Sequence, residues 1–161
     1  MVLGIMALVA IIAVVWSITR DTQDNSHKAG QACATSAIDT RIPKPADVKV
    51  QILNATDKPG LANVTGDAFK KRGFNVVQVG NSTDVISGTA EIRFGAAAVG
   101  AAHLVRAEVP DSRPIADNTK TDNVVVVVLG PGFINLTAEG DLDSTLKSLG
   151  KPVRPKLACE A

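Results

Sequence analysis

An α+β fold is predicted for this 161-residue chain by three features. The hydrophobic period switches repeatedly between two and about 3.6 residues. Turn formers sit at the switch points. The resulting order is strand, helix, strand, strand, helix, strand.

The first residues stand apart from that pattern. Residues 1–19 carry no charge and read MVLGIMALVAIIAVVWSIT before Arg20. They match the roughly 18–20 residues a helix needs to cross a bilayer core, which predicts a transmembrane anchor. A cleaved signal peptide has a basic start, a shorter apolar core and a small-residue cleavage site. Here the start is MVLG, and no A-x-A follows. Gly30-Gln31-Ala32-Cys33 also lacks the residues of a lipoprotein box. Flanking charge argues against the expected topology, since Arg20 follows the span and basic residues favour the cytoplasmic side.

Residues 20–47 are polar and turn-rich, with Pro43 and Pro45 near the end, and read as a linker. Residues 48–53 alternate apolar and polar, the signature of a half-buried strand. The loop 54–60 is followed by a helix with Leu61, Val64, Ala68 and Phe69 inward and Asp67 and Lys70 outward. Gly73 suits its C-terminal cap. Residues 74–79 form the next strand and 90–94 the third. A second helix is expected over 96–106, with Ala97, Ala101, Leu104 and Val105 inward. Residues 109–123 read as loop, and the valine run at 124–129 as a strand buried on both faces. Beyond Gly130-Pro131-Gly132, a short helix is expected within 137–149. These elements give a domain at 48–130 and an extension at 131–161. Their order is that of a βαββαβ ferredoxin-like sandwich, one mainly antiparallel sheet with both helices on one face.

Two cysteines, Cys33 and Cys159, bracket the folded part. Such a pair reads as a disulfide in an oxidising compartment, worth about 4–5 kcal/mol in the chain-entropy model. The net charge of +1 supplies no basic stripe, so nucleic acid is not an expected partner. With four Phe, one Trp and no Tyr, stacking platforms are scarce.

No catalytic, metal or cofactor constellation emerges, and an enzyme is not expected. His27 falls in the linker and His103 on the polar side of the second helix, where it should be solvated. Asp111 and Asp117 flank Arg113 in a loop, and Asp141 and Asp143 begin a helix, which suits turn and helix-start chemistry. There is no G-x-S-x-G elbow and no phosphate loop of Walker type. Four N-x-[ST] sequons begin at Asn54, Asn63, Asn81 and Asn135. Asn54 and Asn81 end strands, where asparagine serves turns.

Residues 48–81, VKVQILNATDKPGLANVTGDAFKKRGFNVVQVGN, carry a further signal. Val48, Val50, Leu53, Asn54 and Thr56 form a strand and turn, Gly60, Leu61 and Ala62 a helix start, and Gly73, Phe74 and Val76 a second strand before Gly80 and Asn81. This pattern resembles the LytR C-terminal domain family, with Ala55 and Phe69 as departures. The looser second half, Ile92-Arg93-Phe94, an Ala-rich helix and a valine strand, is similar to it as well. The family's other setting joins it to a phosphotransferase domain that attaches polymers to peptidoglycan, for which this chain has no room. The resemblance therefore implies a single-pass actinobacterial membrane protein with its domain on the extracytoplasmic side, supporting cell-envelope integrity. Peptidoglycan, another wall polymer or other envelope proteins are the implied partners. An enzyme or accessory of envelope glycan or lipid polymer attachment is the alternative. Amide, hydroxyl and charged groups suited to sugars are expected in the strand-end loops, at Asn54, Thr56, Asp57, Lys58, Asn81, Ser82 and Thr83.

Overall fold

A computed structural model describes residues 38–154. The expected anchor at 1–19, and Cys33 and Cys159 with their expected disulfide, lie outside that range. Among the described residues no helix is long and apolar enough to cross a membrane.

The chain enters through a 3-10 turn at Pro45–Asp47 and forms β1, Lys49–Asn54. Val50 and Ile52 are fully buried while Lys49 is exposed, as alternation requires. Helix α1, Leu61–Lys71, ends in a Schellman motif. Gly73 takes φ 84°. Its N–H bonds the Lys70 carbonyl at 2.9 Å, and the Phe74 N–H bonds the Phe69 carbonyl at 3.1 Å. The Phe69 and Phe74 rings meet edge to face at 5.1 Å, the apolar contact that accompanies this cap. The expected cap residue is thus the observed one. The expected inward face is shifted, however, since Val64 is 71% exposed. Ala62, Thr65, Gly66 and Phe69 face the sheet instead. These small residues bring the helix close: a Cβ on Gly66 would lie 2.9 Å from a Val79 methyl.

Strand β2, Asn75–Asn81, follows at once. Then come β3, Ala90–Phe94; α2, Val99–Glu108; β4, Arg113–Ala116; β5, Val124–Leu129; and α3, Leu142–Leu149. The strands form one sheet in the order β2-β1-β5-β3-β4. β1 runs parallel to both β2 and β5, and β3 parallel to β4, while β3 and β5 are antiparallel.

The class is mixed α and β with one sheet, but the ferredoxin-like, mainly antiparallel arrangement is not found. Three of the four pairings are parallel. The cause is β4, which lies inside the segment expected as loop. It receives the chain from α2, so β3-α2-β4 becomes a second parallel crossover unit like β1-α1-β2. β5 then joins the two units, parallel to one and antiparallel to the other.

Both helices pack into one core with Val50, Ile52, Ile92, Val125 and Val127. Each fully buried side chain of this size contributes about 1.5–3 kcal/mol relative to exposure. The opposite face of β5 is covered too, since Val126 and Val128 pack with Ile86 from the β2–β3 loop. The valine run is therefore buried on both faces, as its composition predicted.

Segments on either side of this body close on α2. Asp39 donates to the Ala96 carbonyl at 3.1 Å and accepts from the Gly100 N–H at 2.8 Å. The strap lies so close that a Cβ on Gly100 would collide with the Arg41 carbonyl. From the other side, Phe133, Leu136 and Leu146 pack on the core. Thr137 Oγ1 donates to the Ala107 carbonyl at 2.6 Å.

Candidate functional site

Because β1, β2 and β5 are parallel, their carboxyl ends share one edge of the sheet. Asn54 is the register partner of both Asn81 and Leu129. The Ser82 N–H bonds the Asn54 carbonyl at 2.8 Å. The two loops named from sequence are therefore neighbours.

Their side chains divide into two groups. Asn54 is 4% exposed and committed to its own loop. Its Nδ2 donates to the Lys58 carbonyl at 2.8 Å, and its Oδ1 accepts from the Thr56 N–H at 3.0 Å and hydroxyl at 2.7 Å. Thr56 Oγ1 in turn accepts from the Lys58 N–H at 3.1 Å. These two residues shape the turn. Ser82 Oγ likewise accepts from the Asp84 N–H at 3.1 Å. Asp57, Lys58, Asn81 and Thr83 stand exposed around that scaffold.

Beside them lies a cleft of about 280 Å³ between the start of α1 and the end of β2, lined by Pro59, Gly60, Ala62, Asn63, Val79, Gly80 and Asn81. It opens at the carboxyl end of β2, the edge strand of the sheet, where the loop leaving β1 enters α1. The α1 start has no side-chain cap. The Gly60 carbonyl accepts the Val64 N–H at 3.1 Å, but glycine has no side chain to cap the N–H groups before it. Asn63 and the Pro59-Gly60 wall were not singled out from sequence. The sequon at Asn63 was the one signal available, because its approach to Asn81 depends on the parallel pairing.

The groups considered for catalysis have other employment. His103 is not solvated as expected but 4% exposed, with Nε2 3.0 Å from the Gly150 carbonyl. That carbonyl can only accept, so Nε2 carries the proton. Burial pushes the imidazole pKa down. The polar side of α2 is covered by the C-terminal extension, which periodicity within the helix could not show.

Arg113 pairs with Glu91, and Arg93 bridges Glu91 at 2.8 Å to Asp84 at 2.5 Å, across the sheet face away from the helices. The Arg113 and Arg93 guanidinium groups hold the Glu91 carboxyl below the usual carboxylate range. Asp117 organises its own turn by accepting from the Thr119 N–H at 2.9 Å. Glu108, 1% exposed, pairs with Arg72 at the far ends of α2 and α1. Burial raises its pKa against the pull of Arg72. The Gly130 and Gly132 N–H groups are bound to the Thr89 and Gly88 carbonyls. No group of three potential metal ligands occurs among the described residues.

The domain belongs to an envelope-related class. A family model described as LytR cell envelope-related transcriptional attenuator matches residues 47–133, more than half of the chain. The chain belongs to this LytR C-terminal domain family. It is also similar to the soluble domain of a conserved hypothetical secreted protein, an Rv2700 ortholog, from Mycobacterium marinum. That crystal structure superposes with a TM-score of 0.58 at 28% identity, over 76% of this chain and 86% of that one. No curated protein matches the chain. These likenesses agree with a resemblance to the actinobacterial envelope integrity protein Cei, with the vesiculogenesis regulator VirR as a neighbouring type.

Proposed function

We propose that this protein is a non-enzymatic, membrane-anchored module of the cell envelope whose domain lies on the extracytoplasmic side. It supports envelope integrity by binding wall polymer at the carboxyl ends of β1 and β2. The observation that carries this reading is the cleft between Asn63 and Asn81, flanked by exposed Asp57, Lys58 and Thr83 and held in shape by the buried Asn54 turn. Amides and hydroxyls on a rigid rim suit the hydroxyl and acetamido groups of glycans. The secreted relative supports the expected compartment. The engagement of His103, Glu91, Glu108 and Arg113 in structural contacts supports a binding rather than a catalytic role.

The test is co-sedimentation of the purified domain with insoluble peptidoglycan. The Asn63→Ala/Asn81→Ala double variant is the comparison, since both residues are exposed and the change should spare the fold. We expect the wild type to pellet and the double variant to lose at least about tenfold in affinity, a cost of roughly 1.4 kcal/mol. Equal pelleting of the two, or none of either, removes the basis for a polymer-binding cleft. Envelope proteins captured in place of polymer would move the role to scaffolding.

A further inference from the structure

A second cavity lies on another part of the molecule, between α2, the β3–β4 edge and the C-terminal extension. It measures about 210 Å³ and is lined mainly by carbon: Phe94 of β3, Val99 and Ala102 of α2, Pro114 and Ala116 of β4, and Pro152 of the extension. Two polar residues, His103 and Arg106, enter its wall.

Arg106 is the anomaly. Its Nε is buried without a hydrogen-bond partner, and no other buried side-chain nitrogen or oxygen among the described residues is in that position. The other buried or half-buried arginines, Arg72 and Arg93, are ion-paired, whereas no ion pair of Arg106 occurs among the described residues. The neighbouring His103 brings no compensating negative charge. Its Nε2–H is committed to Gly150, and burial lowers its pKa, so the ring is neutral at pH 7. A guanidinium with a buried, unanswered N–H on the wall of a carbon-lined cavity calls for a carboxylate or phosphate oxygen.

We infer that this cavity is a binding site for a single-chain anionic amphiphile. The head group, a carboxylate or phosphate, meets Arg106, and the first carbons of the chain lie against Phe94, Ala102 and Pro114. The site is separate from the strand-end cleft and does not depend on polymer binding there. Its volume accommodates a head and a few methylenes, and the rest of a longer chain passes out through the open side beside Ala116 and Val153.

The test uses a soluble form lacking residues 1–19. The described residues lie within a single compact unit, and the relative's soluble domain crystallised alone. Octyl phosphate and octanoate are titrated into the labelled protein and followed by amide shifts in α2 and β4, with octanol and inorganic phosphate as single-feature controls. Saturable binding of at least one anionic probe is expected, each control being at least about tenfold weaker. Which probe binds better identifies a phosphate or a carboxylate source. Arg106→Gln should weaken binding about tenfold or more with the melting temperature retained. Ala116→Phe, placed on an exposed edge strand, should block the cavity independently of charge. Equal binding of octanol, no effect of Arg106→Gln, or no binding of either anionic probe overturns the inference. So does binding seen only after removal of residues 155–161, because the intact chain would then close the site itself.

Discussion

The Arg72–Glu108 pair gives the sharpest test of how this fold is held together. Arg72→Met keeps the aliphatic stem and removes the guanidinium, leaving the Glu108 carboxylate, 1% exposed, without its partner. Removing one member of a buried pair costs about 3–5 kcal/mol. The Arg72 side chain is 15% exposed, so water reaches part of the site and the lower end applies, about 3 kcal/mol. For a body of this size, about 4 °C per kcal/mol translates that into a fall of roughly 12 °C in melting temperature at pH 7. The pH dependence gives a second signature. A carboxyl whose folded-state pKa is raised contributes stability while protonated, and loses it as pH climbs through that raised value. Burial already raises the Glu108 pKa, and loss of Arg72 raises it further. The gap between variant and wild type therefore narrows between pH 7 and pH 5. His103 titrates in both proteins and cancels from the difference. Arg72→Met/Glu108→Leu, with no charge left to bury, should return to within about 1 kcal/mol of the wild type. Thermal melts followed by circular dichroism measure all three. A drop under about 3 °C for Arg72→Met, or a double variant no more stable than it, refutes the reasoning.

Further outcomes follow from the same structure. Gly100→Ala drives a methyl into the Arg41 carbonyl and should cost about 1–3 kcal/mol, with faster hydrogen exchange at the Gly100 amide. Unchanged exchange there would mean that the strap does not press on α2. His103→Gln should flatten the loss of stability below about pH 6.5. The folded-state pKa of His103 is lowered, so the wild type weakens as pH falls from the unfolded value toward the folded one. Melts between pH 7.5 and pH 5 read this directly. Asn54→Ala removes three side-chain hydrogen bonds from a buried position and should destabilise by about 1–3 kcal/mol. Denaturant unfolding measures the loss, and the amide shifts of residues 55–58 should move toward those of an unstructured loop.

Much of the secondary structure was legible because the local patterns were strong. The alternation at Val50 and Ile52, the valine run at 124–129 and the Gly73 cap each rest on neighbours within one turn or one strand. Strand directions were not legible, because the decisive element was Arg113–Ala116. Four residues containing a proline, at a sheet edge, carry almost no periodic signal. Without that strand α2 seemed to return straight to Val124, and an antiparallel sandwich was the natural reading. The burial of His103 and the exposure of Val64 escaped for a related reason. A helix's own period shows which face is apolar, but not that Gly66 will draw α1 against Val79 or that Gly150 will cover α2. The structure sets the two strand-end loops side by side, with Asn54 and Asn81 in register. What sequence could not separate was Asn54 and Thr56, which build the loop, from Asn81, which is exposed at its cleft beside Asn63.

The two straps on α2 have a mechanical consequence. Tension drawn along the chain from residue 38 meets first the two backbone hydrogen bonds that clip Asp39 to Ala96 and Gly100. Tension drawn from residue 154 meets the contact between His103 and Gly150. The first load reaches α2 before β1 and the second reaches it before β5, two strands that pair in parallel along their whole length. Under stretch, the straps are expected to yield before the sheet loses its register, and a pulling experiment in which β1 separates first would refute this. In that order of events the straps act as fuses, and the loops at the ends of β1 and β2 are spared the strain.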